Sequence, residues 1–225
     1  MARPNGSARE ALIEQAERLF AERGIEGVSL RDVSSAAGQR NHSAAQYHFG
    51  DRAGLVTAVY DARMRVVNER RERHLFTLRN EGRLDDVVAL VEAIVVPLIE
   101  VVTTTHSWYA RFLARARWDT MAAHLVAELP AAATMRVVSN HLMHSLSPLP
   151  HDVRRSRVEQ LHTLLVGTMA GWEWSRHNRE RHLSAAAVTD ELVSTGLAVV
   201  TAPRPAHALV TTRPLNGTPA PYALH

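Results

Sequence analysis

Glycines and capping residues divide the first fifty residues of the 225-residue chain into three short helices. Ser29 and Asp32 have the spacing of a capping box, in which two side chains satisfy free N–H groups at a helix start. Gly24 ends the helix before this box and Gly38 ends the helix after it, because glycine accepts the positive φ of a helix end. A third helix, about two turns long, is predicted over 42–48. Three short helices joined by tight turns are typical of a helix-turn-helix unit.

The rest of the chain is predicted to be helical as well. Apolar residues recur with helical spacing, and no segment alternates apolar and polar residues as a half-buried strand does. Further caps are expected at Ser7, Asp51 and Ser184. The pattern therefore predicts an all-α fold. Besides the helix that opens at Ser29, the predicted helices cover 8–23, 42–48, 52–79, 84–103, 106–128, 131–146, 151–177 and 185–200.

These elements group into three regions. Residues 1–51 are predicted to form a three-helix N-terminal domain, which a long helix joins to a helical domain over 52–200. Residues 201–225 contain five of the ten prolines of the chain. Proline breaks helices, so we expect this tail to be extended or disordered.

The composition excludes several kinds of chemistry. All 26 basic residues are arginine, and the chain has no cysteine. Lysine Schiff bases, phosphate-loop lysines, thiolate nucleophiles and disulfides are therefore ruled out. His141 and His144 lie three residues apart on one helical face, but the pattern offers no third ligand, so we expect no metal. The motifs of hydrolases and nucleotide-binding enzymes are absent too. We expect neither an enzyme nor a cofactor.

The most apolar segment, residues 87–102, is predicted to be a buried core helix. It contains Glu92, Pro97 and Glu100, whereas a membrane span needs about 20 mostly uncharged residues. The N-terminus shows no apolar core of a secretory signal. We therefore expect a cytoplasmic protein with no membrane partner.

Residues 37–52, AGQRNHSAAQYHFGDR, contain little apolar surface to stabilise a short helix. We expect Tyr47 and Phe49 to anchor this segment on the helix at 8–23, with the polar residues facing outward. Arginine, asparagine and glutamine match base edges in the major groove of DNA, and serine and histidine suit phosphates. Arg52, at the start of the long helix, would suit a phosphate as well. A merely solvated surface turn would have a similar composition.

Several residues of the segment 8–60 form one recurring pattern: Ala16, Leu19, Phe20 and Gly24, residues 28–33 (VSLRDV), Ala36-Ala37-Gly38, Tyr47-His48-Phe49, and Arg52 and Leu55. With this pattern the segment resembles the DNA-binding domain of the TetR family of transcriptional regulators. Eight residues separate Gly38 from Tyr47, one more than in the common family pattern. It implies DNA contacts from Ser29, Gln39, Arg40, Asn41, His42, Ser43, Gln46, Tyr47, His48 and Arg52.

The resemblance also implies a homodimer that binds a palindromic operator in double-stranded DNA. Gly167 and Gly171, four residues apart, would allow two helices to approach closely. The residues assigned to the dimer interface are Leu161, Leu165, Gly167, Gly171, Trp172, Leu192 and Leu197. The same apolar residues would also suit packing inside one protomer.

The middle helices, by the same resemblance, enclose a small and largely apolar ligand. The residues assigned to this pocket are Trp108, Tyr109, Arg111, Phe112, Met121, His124, Met135, His141 and Leu142. The implied function is that of a sequence-specific regulator, a repressor that its ligand releases from DNA. The alternative is a helical partner-binding protein whose N-terminal domain no longer reads DNA.

Overall fold

A computed structural model describes residues 8–104 and 107–203. Over these residues the chain forms α-helices and no strand, which confirms the all-α prediction. The helices are α1 (Ala8–Arg23), α2 (Leu30–Ala36), α3 (Ala44–Phe49), α4 (Arg52–Asn80), α5 (Val87–Thr104), α6 (Tyr109–Trp118), α7 (Thr120–Glu128), α8 (Ala133–Ser145), α9 (His151–His177) and α10 (Ala185–Thr201), with a 3-10 turn at Pro130–Ala132.

The first three helices, which we call the head, pack around an apolar core on the start of α4. Phe20, Val33 and Leu55 have no exposed surface. The predicted capping box at the start of α2 is confirmed. Ser29 Oγ accepts a hydrogen bond from Asp32 N at 3.1 Å, and Asp32 Oδ2 accepts one from Ser29 N at 2.9 Å. We call the remaining helices, α4 to α10, the body.

Side-chain caps also define the starts of α4 and α10. Asp51 Oδ1 accepts from Gly54 N at 2.8 Å, and Ser184 Oγ accepts from Ala187 N at 3.1 Å. Both caps were predicted and are confirmed, whereas the predicted cap at Ser7 lies outside the described residues, as does the predicted tail from position 204 onward. Because α4 starts directly after its cap and runs for 29 residues, one helix connects the head to the body.

Helix α5 lies at the centre of the body. It packs against α4, α8, α9 and α10, and most of its residues are buried. Its length and apolar composition would also suit a membrane span. Burial within the body accounts for that composition, so the prediction of a core helix is confirmed.

The single helix predicted over 106–128 is wrong, because the chain breaks at Asp119. This residue has an extended backbone, with ψ at 122°, and its side chain accepts from Ala122 N at 2.9 Å as the cap of α7. The apolar spacing continues across the break and concealed this capping signal. The helix predicted from 131 likewise begins later, at Ala133, because Pro130 starts a 3-10 turn.

Two buried glutamates satisfy free N–H groups at the start of α6. Glu17 on α1 accepts from Trp108 N at 2.8 Å. Glu173 on α9 accepts from Ala110 N at 3.2 Å and from Arg111 N at 3.0 Å. Each glutamate is only 1% exposed. Because a helix start favours negative charge, these two glutamates hold the start of α6 against both α1 and α9.

Burial raises the pKa of Glu173 to about 7, and the negative charge of Glu17 adds to the rise, although the amide hydrogen bonds oppose it. The folded protein therefore binds a proton at Glu173 more tightly than the unfolded chain, whose glutamate pKa is about 4.5. The stabilisation from this proton is complete below the unfolded pKa and is lost as the pH rises through the folded pKa.

We predict that the wild type loses stability relative to Glu173→Gln as the pH rises from about 4.5 to about 7. The difference in free energy of unfolding should change by at most ~1.4 kcal/mol per pH unit and level off above that window. Urea unfolding at a series of pH values measures it. Glu191→Gln, at an exposed position of α10, is the matched control and should follow the wild type. A pH-independent difference between wild type and Glu173→Gln would contradict the assignment.

Candidate DNA-binding site and internal cavity

A buried serine fixes α3 against α2. Ser34 Oγ donates to Leu30 O at 3.0 Å and accepts from Ala45 N at 3.0 Å. Ser34 and Ala45 have no exposed surface. Only Ala44 and Ala45 of α3 are buried, so apolar packing alone holds this short helix weakly. The hydrogen bonds of the Ser34 hydroxyl fix its orientation.

The turn between α2 and α3 covers residues 37–43, and α3 begins two residues later than predicted. Asn41 is the reason: its Oδ1 accepts from Ser43 N at 2.9 Å, and its backbone O accepts from Ala44 N at 3.0 Å. These bonds make a further turn where the pattern predicted helix. Gly38, with φ at 66°, adopts the backbone conformation that glycine favours at a helix end.

The residues assigned to DNA contact belong to the head and to the first turn of α4, and most of them are exposed. Gln39 alone is half-buried, and its Nε2 donates to Ala37 O at 3.4 Å within the turn. His42 Nδ1 lies 3.2 Å from Ser35 Oγ. The exposed ones are Ser29, Arg40, Asn41, His42, Ser43, Gln46, Tyr47, His48 and Arg52.

The prediction that Tyr47 anchors α3 is wrong. Its side chain is 85% exposed, and its ring lies edge-on to that of His48, with 5.3 Å between centroids. Phe49 is the anchor, because it packs against the core of the head, and the Arg9 guanidinium lies 5.4 Å from its ring centroid. With α3 held by Ser34 and Phe49, Tyr47 is left in solvent with the polar residues.

Ser29 and Arg52 lie at the starts of α2 and α4. The Ser29 hydroxyl is already engaged, since Oγ donates to Asp32 Oδ2 at 2.6 Å. Hydrogen bonds from the hydroxyl and the amide of Ser29 lower the pKa of Asp32. Arg52 is exposed in the first turn of α4, where a free guanidinium and helix N–H groups together favour an anion.

The body contains an apolar cavity of about 180 Å³, partly open to solvent and bounded by α4, α5, α6, α7, α8 and α9. Of the nine residues assigned to a pocket from the sequence, only Met135 lines this cavity. Tyr109, Phe112 and Leu142 are completely buried in the core. The polar residues of the wall were not predicted from the sequence: Arg71, Arg117, Arg136, Ser139, Glu159 and His162.

The other assigned pocket residues lie outside the cavity wall. Trp108 stacks on His177 with 3.9 Å between ring centroids, and the Arg111 guanidinium lies 4.9 Å from the Trp108 ring and 4.8 Å from that of Trp174. The remaining three are at least partly exposed: Met121, His124 and His141. Over residues 8–104 and 107–203, no three His, Asp or Glu side chains are placed to hold a metal ion.

Most residues assigned to the dimer interface pack inside the protomer. Leu161, Leu165 and Leu192 are buried, and Trp172 Nε1 donates to Leu183 O at 2.8 Å. The cause is close packing of α10 on α9: a Cβ built at Gly196 would lie 2.7 Å from Leu161 Cδ1. These four assignments are therefore corrected to core positions.

The glycines of α9 differ from those leucines. Gly167 and Gly171 are exposed, and a Cβ at either would meet no atom within 4 Å. Trp174, three residues further along the same helix, is 49% exposed. Leu197 of α10 is half-buried. We call Gly167, Gly171 and Trp174 the exposed stripe of α9.

A three-helix head with an exposed polar turn, joined through one long helix to a helical body, defines a helix-turn-helix protein with a second helical domain. Residues 12–59 match the family model described as bacterial regulatory proteins, tetR family. The head therefore belongs to the DNA-binding domains of the TetR family of transcriptional regulators.

Solved structures with the same fold include members of this family. NalD of Pseudomonas aeruginosa, described as the secondary repressor of the MexAB-OprM multidrug efflux pump, is 18% identical, with a TM-score of 0.54 over 85% of this chain and 96% of that one. The TetR-family regulator PfmR from Thermus thermophilus is 14% identical, with a TM-score of 0.54 over 89% and 100% of the two chains. At such identities the likeness concerns the fold. No curated protein sequence matches the chain.

We predict that Ser34→Ala lowers the free energy of unfolding by about 1–3 kcal/mol, because the buried Ala45 N–H loses its acceptor. Urea unfolding followed by circular dichroism measures the loss. Ser43→Ala is the matched control: Ser43 is exposed and its side chain makes no capping hydrogen bond, so stability should change by less than ~0.5 kcal/mol. Equal effects of the two substitutions would show that Ser34 does not hold α3.

Proposed function

We propose that the chain is a sequence-specific DNA-binding regulator whose turn at 37–43 and α3 enter the major groove. The observation that carries this proposal is a group of exposed polar side chains on an element whose other side is fixed by Ser34 and Phe49. Within the described residues, the side chains of Arg40 and Gln46 form no hydrogen bond to the protein. They are therefore available to base edges, which arginine and glutamine recognise bidentately.

The neighbouring residues have different proposed roles. Asn41 Oδ1 already holds the turn, which leaves its Nδ2 as a donor to DNA. Tyr47 and His48 are exposed beside Gln46 and suit phosphate oxygens, as does Arg52 at the start of α4. Contacts to phosphate set the orientation of the head, and Arg40 and Gln46 supply the discrimination between sequences.

We predict that Arg40→Ala and Gln46→Ala reduce the preference for operator over scrambled DNA, by about 1–3 kcal/mol for each lost base contact. Arg52→Ala should weaken binding to both DNAs alike and reduce the slope of log K against log salt by about one. Fluorescence anisotropy with labelled duplexes at several salt concentrations measures these effects.

Arg73→Ala is the matched control for these three variants. It removes the same charge from an exposed position of α4 in the body, so both affinity and preference should stay within about twofold of wild type. If all three head variants lost equal affinity for both DNAs, the surface assigned to base reading would be wrong, and the alternative of a head that no longer reads DNA would gain support.

We propose that two copies pair through the exposed stripe of α9 together with α10. The absence of side chains at Gly167 and Gly171 leaves room for a partner helix at close approach, and Trp174 offers a large apolar surface beside them. A twofold pair would present two heads to two half-sites of a palindromic operator.

We predict that Gly171→Leu separates the pair into protomers, because the leucine side chain would occupy the space of the partner helix. Leucine is a better helix former than glycine by about 1 kcal/mol, so the protomer should remain folded by circular dichroism. Sedimentation velocity gives the mass in solution. The matched control, Thr77→Leu, adds the same side chain at an exposed site of α4 and should remain dimeric. A dimer of unchanged stability in Gly171→Leu would rule out this interface.

We further propose that the DNA-bound protein represses transcription in the cytoplasm and that a ligand in the cavity releases it. Three wall residues, Tyr60, Met64 and Arg71, belong to α4, whose first residue, Arg52, lies beside the reading surface. A displacement of α4 would therefore change the spacing of the two heads. The ligand must favour the released state, and a tenfold preference corresponds to about 1.4 kcal/mol. NalD, which shares the fold, is described as a repressor.

A further inference from the structure

A proline in α5 determines how Arg71 is held in the cavity wall. Pro97 has no N–H, so the carbonyl of Ala93, four residues earlier, lacks its helical donor. Arg71 Nε donates to this carbonyl at 3.2 Å, and its Nη1 donates to Asn68 Oδ1 at 2.9 Å. Asn68 Nδ2 in turn donates to Ala131 O at 2.7 Å. The guanidinium is thus fixed in place by neutral groups alone.

The third nitrogen of Arg71 has no partner. Its Nη2 is buried without a hydrogen bond, and over the described residues no carboxylate forms an ion pair with Arg71. Burial lowers the pKa of Arg71 to about 10, so the side chain stays charged at neutral pH. An unpaired buried cation with an unused donor is strongly unfavourable, and a bound anion would relieve that cost.

The other charged groups of the wall also favour an anion. Arg117 and Arg136 line the cavity, against the single carboxylate of Glu159. His162 lies 3.2 Å from Ser139 Oγ through Nε2, and burial, with the nearby arginines, lowers its pKa to about 4. The His162 ring is therefore uncharged at neutral pH, and it offers a polar contact that does not cancel the positive charge of the arginines.

The remaining wall is apolar and limits the size of the ligand. It includes Leu98, Leu113, Leu165 and Val166. A dry cavity of about 150 Å³ binds benzene, so a cavity of about 180 Å³ accommodates one ring or a short branched chain with a small charged group. Met64 and Met135 also line it, and methionine side chains adjust readily to a ligand.

We propose that the cavity binds a small apolar monocarboxylate of about the size of phenylacetate, with its carboxylate on Arg71 Nη2 and its apolar part among the leucines and methionines. This proposal rests on the proposed function, because both take the cavity as the ligand site. It adds the chemical class of the ligand and the residue that recognises its charge. Arg71 lies on α4, so the carboxylate would act directly on the helix that carries the head.

Isothermal titration with three ligands of one shape tests the proposal. Phenylacetate, neutral phenylacetamide and cationic phenethylamine are titrated into the full-length protein in a buffer without carboxylate or phosphate. Phenylacetate should bind about 10- to 100-fold more tightly than phenylacetamide, as a charge-assisted hydrogen bond requires, and phenethylamine should not bind measurably. Equal affinity for phenylacetate and phenylacetamide, or no binding of phenylacetate, overturns the proposal.

Variants assign the preference to Arg71. Arg71→Met should remove the preference for phenylacetate while phenylacetamide binds as before. If the methionine variant does not fold, Arg71→Gln, which is neutral but can still donate a hydrogen bond, should remove the preference as well. The matched control is Arg70→Met, because Arg70 is paired with Glu100 on the same helix and does not line the cavity. A preference that survives in a folded Arg71→Met or Arg71→Gln variant, or that is lost equally in Arg70→Met, contradicts the role of Arg71.

Binding to DNA without ligand is measured on the same preparations. If the wild type binds its operator but shows no preference for phenylacetate, the ligand class is wrong and the regulator remains. If phenylacetate binds through Arg71 but no duplex is bound in its absence, the ligand class stands and the DNA-binding function fails.

Discussion

Glu17 connects the head to the body, and the rest of the arrangement depends on it. Its buried carboxylate accepts from Arg63 Nε on α4 at 2.7 Å and from Trp108 N before α6 at 2.8 Å. Arg63 is half-buried, whereas the Glu17 carboxylate is buried, so separating them is unfavourable because it would leave a buried charge without its partner. The first helix of the head therefore cannot separate from α4 or α6 at little cost, and Glu173 extends the same connection to α9.

This connection makes α4 the element that joins the head to the cavity wall. Its first turn lies beside the exposed turn and α3, its middle is joined to α1 through Arg63, and Arg71 lies in the cavity wall. A ligand that repositioned Arg71 would act on a continuous helix and not on a flexible linker. A small displacement of α4 would therefore couple the cavity to the head. Small shifts at an effector site are amplified in this way into larger changes at another site.

Local signals in the sequence predicted most helix boundaries and the polar segment that the head exposes. Capping residues such as Ser29 and Asp51 act within a few positions, so their spacing fixes a helix start before any tertiary packing is known. Burial was harder to predict. Tyr47 is apolar enough to suggest an anchor, but Ser34 and Phe49 already hold α3. Arg71 lies between Val67 and Leu75 at helical spacing on the buried face of α4, and no local signal shows that its Nε donates to the Ala93 carbonyl, which Pro97 leaves without a helical donor.

The central claim is that a symmetric dimer binds two half-sites of DNA, one through the exposed turn and α3 of each protomer. Selection of bound sequences from random duplex DNA by the purified protein tests it most directly. The claim predicts enrichment of an inverted repeat whose half-sites are about 34 Å apart along the duplex, or a multiple of that distance. Enrichment of no sequence, or of one half-site without its symmetric mate, would contradict it.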